Sequence, residues 1–279
     1  TTPLSPRKPL MVIKPTRGWA ALNLSEVWHF KDLLLSLAGR DVKLRYRQTI
    51  LGVAWVLLQP LLAAGIFSFV FGVVARLPSD GVPYFAFTFA GMLAWNAFSS
   101  TLSKTSGCLV GHAQLVSKVY FPRLVLPLST IFSTLIDSAV AMGMMAILMA
   151  VYGIVPGWGI VLLPVWFALA LMLAVGMGLY ACALAVTYRD VPYILPVLLQ
   201  VMLYASPIAY ALSAVPEKLR GFYLINPLSG LLEAFRWSLL NTGSLPVLWV
   251  AYSAVVSVAL FIGGAFAFRK LERKFADVI

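Results

Sequence analysis

An all-helical integral membrane protein is the fold class predicted by three features of the chain. Of its 279 residues 61% are hydrophobic, only 11% are charged, and the apolar residues gather into long uninterrupted stretches. Soluble domains carry about 25% charged residues, and an apolar stretch of about 20 residues is what a helix needs to cross a hydrocarbon core. The net charge of +11 does not imply nucleic acid, because the basic residues cluster at the ends of apolar runs rather than along one polar domain. Membrane orientation accounts for them better.

Residues 1–26 form a tail rich in Pro, Lys and Arg without the apolar core of a secretory signal, so targeting is expected from the first span. Residues 27–279 read as a single membrane domain with no repeat and no low-complexity tract. Within it the segment RDVKLRYRQTILGVAWVLLQP, Arg40 to Pro60, joins a basic amphipathic helix almost directly to an apolar one. On a helical wheel Arg40, Lys43 and Arg47 share one stripe, while Leu35, Ala38, Val42 and Tyr46 fall on the opposite side. Such a helix lies along a membrane surface, where its basic face meets anionic headgroups or a soluble partner. Simple anchoring of the first span by the positive-inside rule explains the same residues. Pro60, inside the apolar run, lacks an amide and is expected to bend the span.

Six apolar stretches are predicted to cross: 51–74, 84–103, 125–150, 160–186, 192–211 and 246–268. An even number places both termini on one side. With the termini in the cytoplasm 17 of the 21 basic residues lie inside, leaving Arg76, Lys218, Arg220 and Arg236 outside. The connection 212–245 is too apolar for a plain loop, and Asn226 and Pro227 read as the N-cap and first residue of a helix whose apolar face is Leu228, Leu231, Leu232, Phe235 and Leu239. It is expected to fold back into the membrane as a re-entrant hairpin; a helix flat on the outer surface is the alternative.

Catalytic chemistry is not indicated. There is no GxxxxGK[ST] phosphate loop, no HExxH, no GxSxG and no metal-ligand cluster, and His29 and His112 stand far apart. Cys108 and Cys182, without CxxC spacing, read as packing residues. Asp137 lies near mid-span beside Ser133, Thr134 and Ser138, as a hydrogen-bonded structural site or as a channel residue. Glu233 and Arg236, three apart, suit a local ion pair or a gate contact. Anything moved uphill by this chain needs energy from a partner or an ion gradient.

Several blocks taken in order resemble a known family: RDVKLRYRQTILGVAWVLLQP at 40–60, AGMLAWNAFSSTLSK at 90–104, LVSKVYFPRLVLP at 115–127, YRDVPYILP at 188–196, SPIAY at 206–210 and NPLSGLLEAFRWSLL at 226–240. The chain resembles the membrane (permease) subunit of type 2 ABC transporters, in the branch exporting lipid-linked polysaccharides such as O-antigen and capsule. The resemblance implies a homodimer around a channel for an undecaprenyl-linked glycan in the bacterial inner membrane. It also implies two separate ATPase subunits that hold the ATP and Mg, so that no cofactor belongs to this chain. Arg40, Asp41, Lys43 and Arg47 become candidate contacts to the ATPase or to a pyrophosphate headgroup. Leu115, Lys118, Tyr120, Phe121, Pro122 and Arg123 match the family's coupling helix, for which an ordinary turn is the plain alternative. Arg189 and Asp190 form a second candidate contact, or pair with each other, or cap the fifth span. The first and fifth spans would line the channel, with the hairpin closing it. Trp55, Tyr193, Tyr204, Tyr210, Phe222 and Tyr223 are aromatics placed on or near that path, each serving equally well as an interfacial anchor. An exporter of drugs or small lipids is the nearest alternative, and a membrane enzyme acting on polyprenyl-linked sugars is the alternative from another class.

Overall fold

The computed structural model describes residues 28–46, 53–119, 121–243 and 245–278, and every regular element among them is helical. In chain order these are α1 (Lys31–Tyr46), α2 (Val53–Phe67, continued as a π-helical segment Ser68–Val74), α3 (Tyr84–Gly111), α4 (Ala113–Lys118), α5 (Val125–Tyr152), α6 (Leu163–Thr187, led in by a 3-10 turn Trp158–Leu162), α7 (Val191–Ala205), α8 (Glu217–Ile225), α9 (Pro227–Leu240) and α10 (Val247–Val278). The predicted tail 1–26 and Arg47 and Tyr120 lie outside the described residues.

Among the described residues four segments are long and apolar enough to cross a membrane: Trp55–Val74, Val125–Tyr152, Trp158–Thr187 and Val247–Glu272. The remaining two predicted spans differ from these for separate reasons. α3 has 28 residues, about 42 Å at 1.5 Å per residue, but carries a polar stripe of Thr, Ser and Asn and is sheathed by its neighbours, with 18 residues buried. α7 has 15 residues, about 22 Å. It stops at Ala205 because Pro207 drives Ser206 into an extended conformation (φ −108°, ψ 147°). Residues 206–211 therefore belong to the connection after α7 and not to the predicted span. Conversely α10 runs to Val278, well past the predicted end at 268, since the charged RKLERK segment is made of good helix formers.

The bundle is built on α3, α5, α6 and α10, with α9 wedged against α3, α6 and α10. α6 and α10 meet backbone to backbone, because a side chain at Gly176 would strike the main chain of Leu260 and one at Gly264 the main chain of Gly176. Two apolar clusters form the core. The larger, at the α9 end, holds Phe87, Phe89, Trp95, Phe98, Leu231 and Phe235. A smaller one at the opposite end joins Leu37, Leu109, Phe121, Leu126, Leu179 and Phe268.

α2 and α7 stand apart from this packing. In α2 only Pro60 and Ala64 are buried among the described side chains, and in α7 only Leu199 is. Both carry an internal proline, Pro60 and Pro196. The α1 stripe also differs from expectation: Phe30, Leu33, Leu34, Leu37 and Ala38 pack against the protein, whereas Leu35 is 53% exposed. Four leucines in the run LLLSL encircle the helix, so its contrast between faces is weaker than the wheel alone suggests.

Candidate functional site

The end of the bundle where α8 runs straight into α9, the hairpin end, is organised by Arg236. Asn226 starts α9 by accepting the Leu228 amide on its side-chain oxygen at 3.0 Å, with Pro227 following at the first helical position. One turn on from Leu232, Arg236 lies 2% exposed. Its Nη1 donates to Glu233 Oε1 at 3.0 Å, its Nη2 donates to the Ile208 carbonyl at 2.6 Å, and the guanidinium sits 4.0 Å from the centre of the Phe87 ring. Only glycine fits opposite, since a Cβ at position 91 would lie 2.7 Å from the Ile208 oxygen and 2.9 Å from Arg236 Nη2. Nearby, Tyr84 Oη donates to the Ala209 carbonyl at 2.7 Å, Ser213 Oγ to Asp80 Oδ1 at 2.9 Å, and Asn226 Nδ2 to Ser206 Oγ at 2.8 Å.

An aromatic series continues outward from there, with Phe71 of the π segment 6.3 Å from Tyr210, and Tyr210 edge-on to Tyr223 at 6.1 Å between ring centres. Tyr210 Oη donates to the Tyr204 carbonyl at 3.1 Å. Burial, with Tyr223 beside it, raises the Tyr210 phenol above its ordinary range, against a smaller opposing influence of Arg236.

At the opposite end α1 crosses α5, and a cavity of 380 Å³ opens among Asp41, Lys104, Gly107, Cys108, His112 and Ser133. Arg40 Nη2 reaches Asp41 Oδ1 at 3.0 Å and also contacts His112 Nε2, while His112 Nδ1 lies 2.9 Å from the Cys108 carbonyl. A guanidinium has no acceptor, so Nε2 accepts and Nδ1 carries the proton to the carbonyl. Deeper in, Lys104 Nζ donates to Ser133 Oγ at 2.8 Å, Asp137 Oδ2 at 3.3 Å and Thr134 Oγ1 at 3.4 Å. Asp137 is thus the acid of an ion pair between α3 and α5. Lys104 had no predicted role beyond its charge, because the apolar window ends at 103 while α3 continues for two more turns.

A family model described as ABC-2 type transporter matches residues 32–240, three quarters of the chain. The chain belongs to that family. ABC-2 type relatives cover it almost end to end. An O-antigen export system permease protein RfbA of Myxococcus xanthus is 31% identical over 91% of this chain and 98% of its own length. One of the same name from Klebsiella pneumoniae is 28% identical over 89% and 95%. The polysialic acid transport protein KpsM of Escherichia coli is 24% identical over 80% and 88%.

Set on this ABC-2 type chain, the predicted site residues divide into three groups. Arg40, Asp41 and Lys43 lie on the outward part of α1, exposed or half-exposed, while Lys118 ends α4 and Arg189 and Asp190 form the turn before α7, all three exposed. Asp190 occupies the N-cap position of α7 without a side-chain cap bond. Leu115 and Phe121 point the other way, into the smaller core cluster, where Phe121 is 5% exposed. Pro122 and Arg123 follow at half-exposed positions, and Arg123 Nη1 donates to the Glu272 carbonyl of α10 at 2.7 Å. The aromatics separate by height: Trp55 and Tyr193 begin α2 and α7 at the α1 end, whereas Tyr204, Tyr210, Phe222 and Tyr223 gather at the hairpin end. Among the described residues no group of three potential metal ligands comes together.

Proposed function

We propose that this chain is the permease subunit of an ATP-driven exporter of a lipid-linked polysaccharide. The alignment over nine tenths of the chain with permeases named for O-antigen export carries this reading. In it, the chain crosses the bacterial inner membrane six times with both termini in the cytoplasm, α3 and α7 supplying the second and fifth crossings. Two copies face each other through α2 and α7, whose apolar and aromatic surfaces find little to pack against within one protomer. Trp55 and Tyr193 at the inner end, and Tyr204, Tyr210, Phe222 and Tyr223 at the outer, offer broad faces along which sugar rings slide.

Energy enters from a separate ATPase, two copies of which hold ATP and Mg. The exposed residues Arg40, Asp41, Lys43, Lys118, Arg189 and Asp190 are its docking points or meet the diphosphate of an undecaprenyl-linked substrate. Phe121 and Arg123 transmit the push, being seated in the core and on α10. The α8–α9 hairpin re-enters from outside and closes the passage. No bond is made or broken in this subunit.

Proteoliposomes containing the chain and its ATPase, loaded with lipid-linked glycan, test the reading. ATP-dependent appearance of the glycan on the far side is the expected result. ATP-driven movement of small lipids alone, or a change in glycan linkage produced by the isolated chain, overturns it.

A further inference from the structure

We infer that Arg236 is a positioning residue that fastens the re-entrant hairpin to α3, so that the outer cap of each protomer moves as one block and does not swing open as a flap. The inference rests on the permease reading above. Four polar ties join elements remote in sequence at this one place. Arg236 links α9 to the Ile208 carbonyl, Tyr84 links α3 to the Ala209 carbonyl, Ser213 links the hairpin to Asp80, and Asn226 links α9 to Ser206. All four hold the segment 206–213, which has almost no helical hydrogen bonding of its own.

Several features set Arg236 apart as the central tie. Its side chain is enclosed, and Nε makes no hydrogen bond. A buried guanidinium is tolerated only where charge and carbonyl partners are held rigidly about it. Those partners come from three directions: Glu233 on its own helix, the Ile208 carbonyl from the connection, and the Phe87 ring from α3. Gly91 completes the seat by letting the Ile208 backbone touch α3. Swinging the hairpin away from α3 would pull the guanidinium off the Phe87 ring, break the Tyr84 bond to the Ala209 carbonyl and open the Gly91 seat, so leaving the closed form costs all three contacts at once. Freedom remains on the other side, along α2 and α7, which are sparsely packed and interrupted by Pro60 and Pro196. Any widening of the passage is therefore carried by these two walls and by the whole cap moving with α3.

Two measurements on the full chain decide it. In the first, Arg236→Met is compared with the native chain by amide hydrogen exchange. Residues 206–213 are expected to exchange roughly tenfold faster while α6 and α10 stay unchanged; unaltered exchange at 206–213 overturns the inference. In the second, Asp80→Cys and Ser213→Cys are joined by oxidation in a chain with Cys108 and Cys182 changed to alanine, with Arg236 intact so that folding is not at issue. Glycan export with the ATPase is expected to stay within about twofold of the reduced form. Export that stops on cross-linking and returns with reductant shows a flap and overturns the block. A reduced chain that exports no glycan at all counts against the permease reading, and the exchange measurement still decides the fastening.

Discussion

Arg236 and Lys104 are both cations set deep in the bundle beside a carboxylate, and they are housed in opposite ways. Arg236 is sealed, gripped by a carbonyl, a carboxylate and an aromatic face, with a glycine to admit the backbone. Lys104 has hydroxyls and Asp137 around it but borders a 380 Å³ cavity, and its side chain keeps 27% of its exposure. A cation with no room around it defines a fixed joint. One beside a void retains a choice of partners, and the α1 end of the bundle can change shape at less cost than the hairpin end.

The sharpest way to break the comparison is Arg236→Ala, which leaves Glu233 buried and the Ile208 carbonyl without its donor. A loss of about 3–5 kcal/mol is expected, seen as a large fall in the detergent unfolding midpoint. A fall no greater than that of Lys104→Met would erase the distinction. Gly91→Val follows, with a Cβ driven into the Ile208 oxygen and the guanidinium. Overpacking of this kind costs about 1–3 kcal/mol, and Gly107→Val, whose Cβ meets nothing within 4 Å, serves as the neutral control in the same assay.

Lys104→Met is expected to cost about 1–3 kcal/mol by leaving the Asp137 carboxylate without its cation. The double change Lys104→Met, Asp137→Leu should recover most of that, since replacing both partners with apolar groups is close to neutral; a double variant as unstable as the single one would give Lys104 a role beyond the pair. Smallest of all is Arg40→Ala. Its pair with Asp41 is solvent-exposed, worth about 0–1 kcal/mol, and the same guanidinium contacts His112, so stability should change little, and a loss of coupled ATP hydrolysis with an unchanged unfolding midpoint reports docking.

Much of this arrangement is legible in the residues. Long apolar runs identify α2, α5, α6 and α10, and the Asn226-Pro227 pair identifies the start of α9 along with its buried face, because capping and periodicity are local properties. Helix ends are less legible. Hydropathy marks where a lipid-like stretch stops, whereas α3 and α10 continue as helices through residues that are polar yet helix-forming. The break after Ala205 was written in Ser206-Pro207 but masked by the apolar residues that follow.

Partnerships across the chain could not be read at all. Nothing in composition pairs Lys104 with Asp137, or aims Arg236 at a backbone carbonyl 28 residues earlier, because such contacts arise only when helices pack. For the same reason the segment from Leu115 to Arg123 reads as a single contact surface in the sequence, though packing turns Phe121 inward and leaves Lys118 outside.

The bond from Arg123 to the main-chain oxygen of Glu272 has a practical corollary for anyone trimming or tagging this polypeptide. A peptide oxygen is present whatever amino acid occupies position 272, so point changes there leave the tether in place. Its location depends on the last turns of α10 staying wound. Shortening the chain from its carboxyl end, or fusing a bulky reporter that unravels those turns, would remove this tether from the distant 121–124 turn without altering a single one of its own residues, leaving Phe121 and Leu124 in the core to hold it.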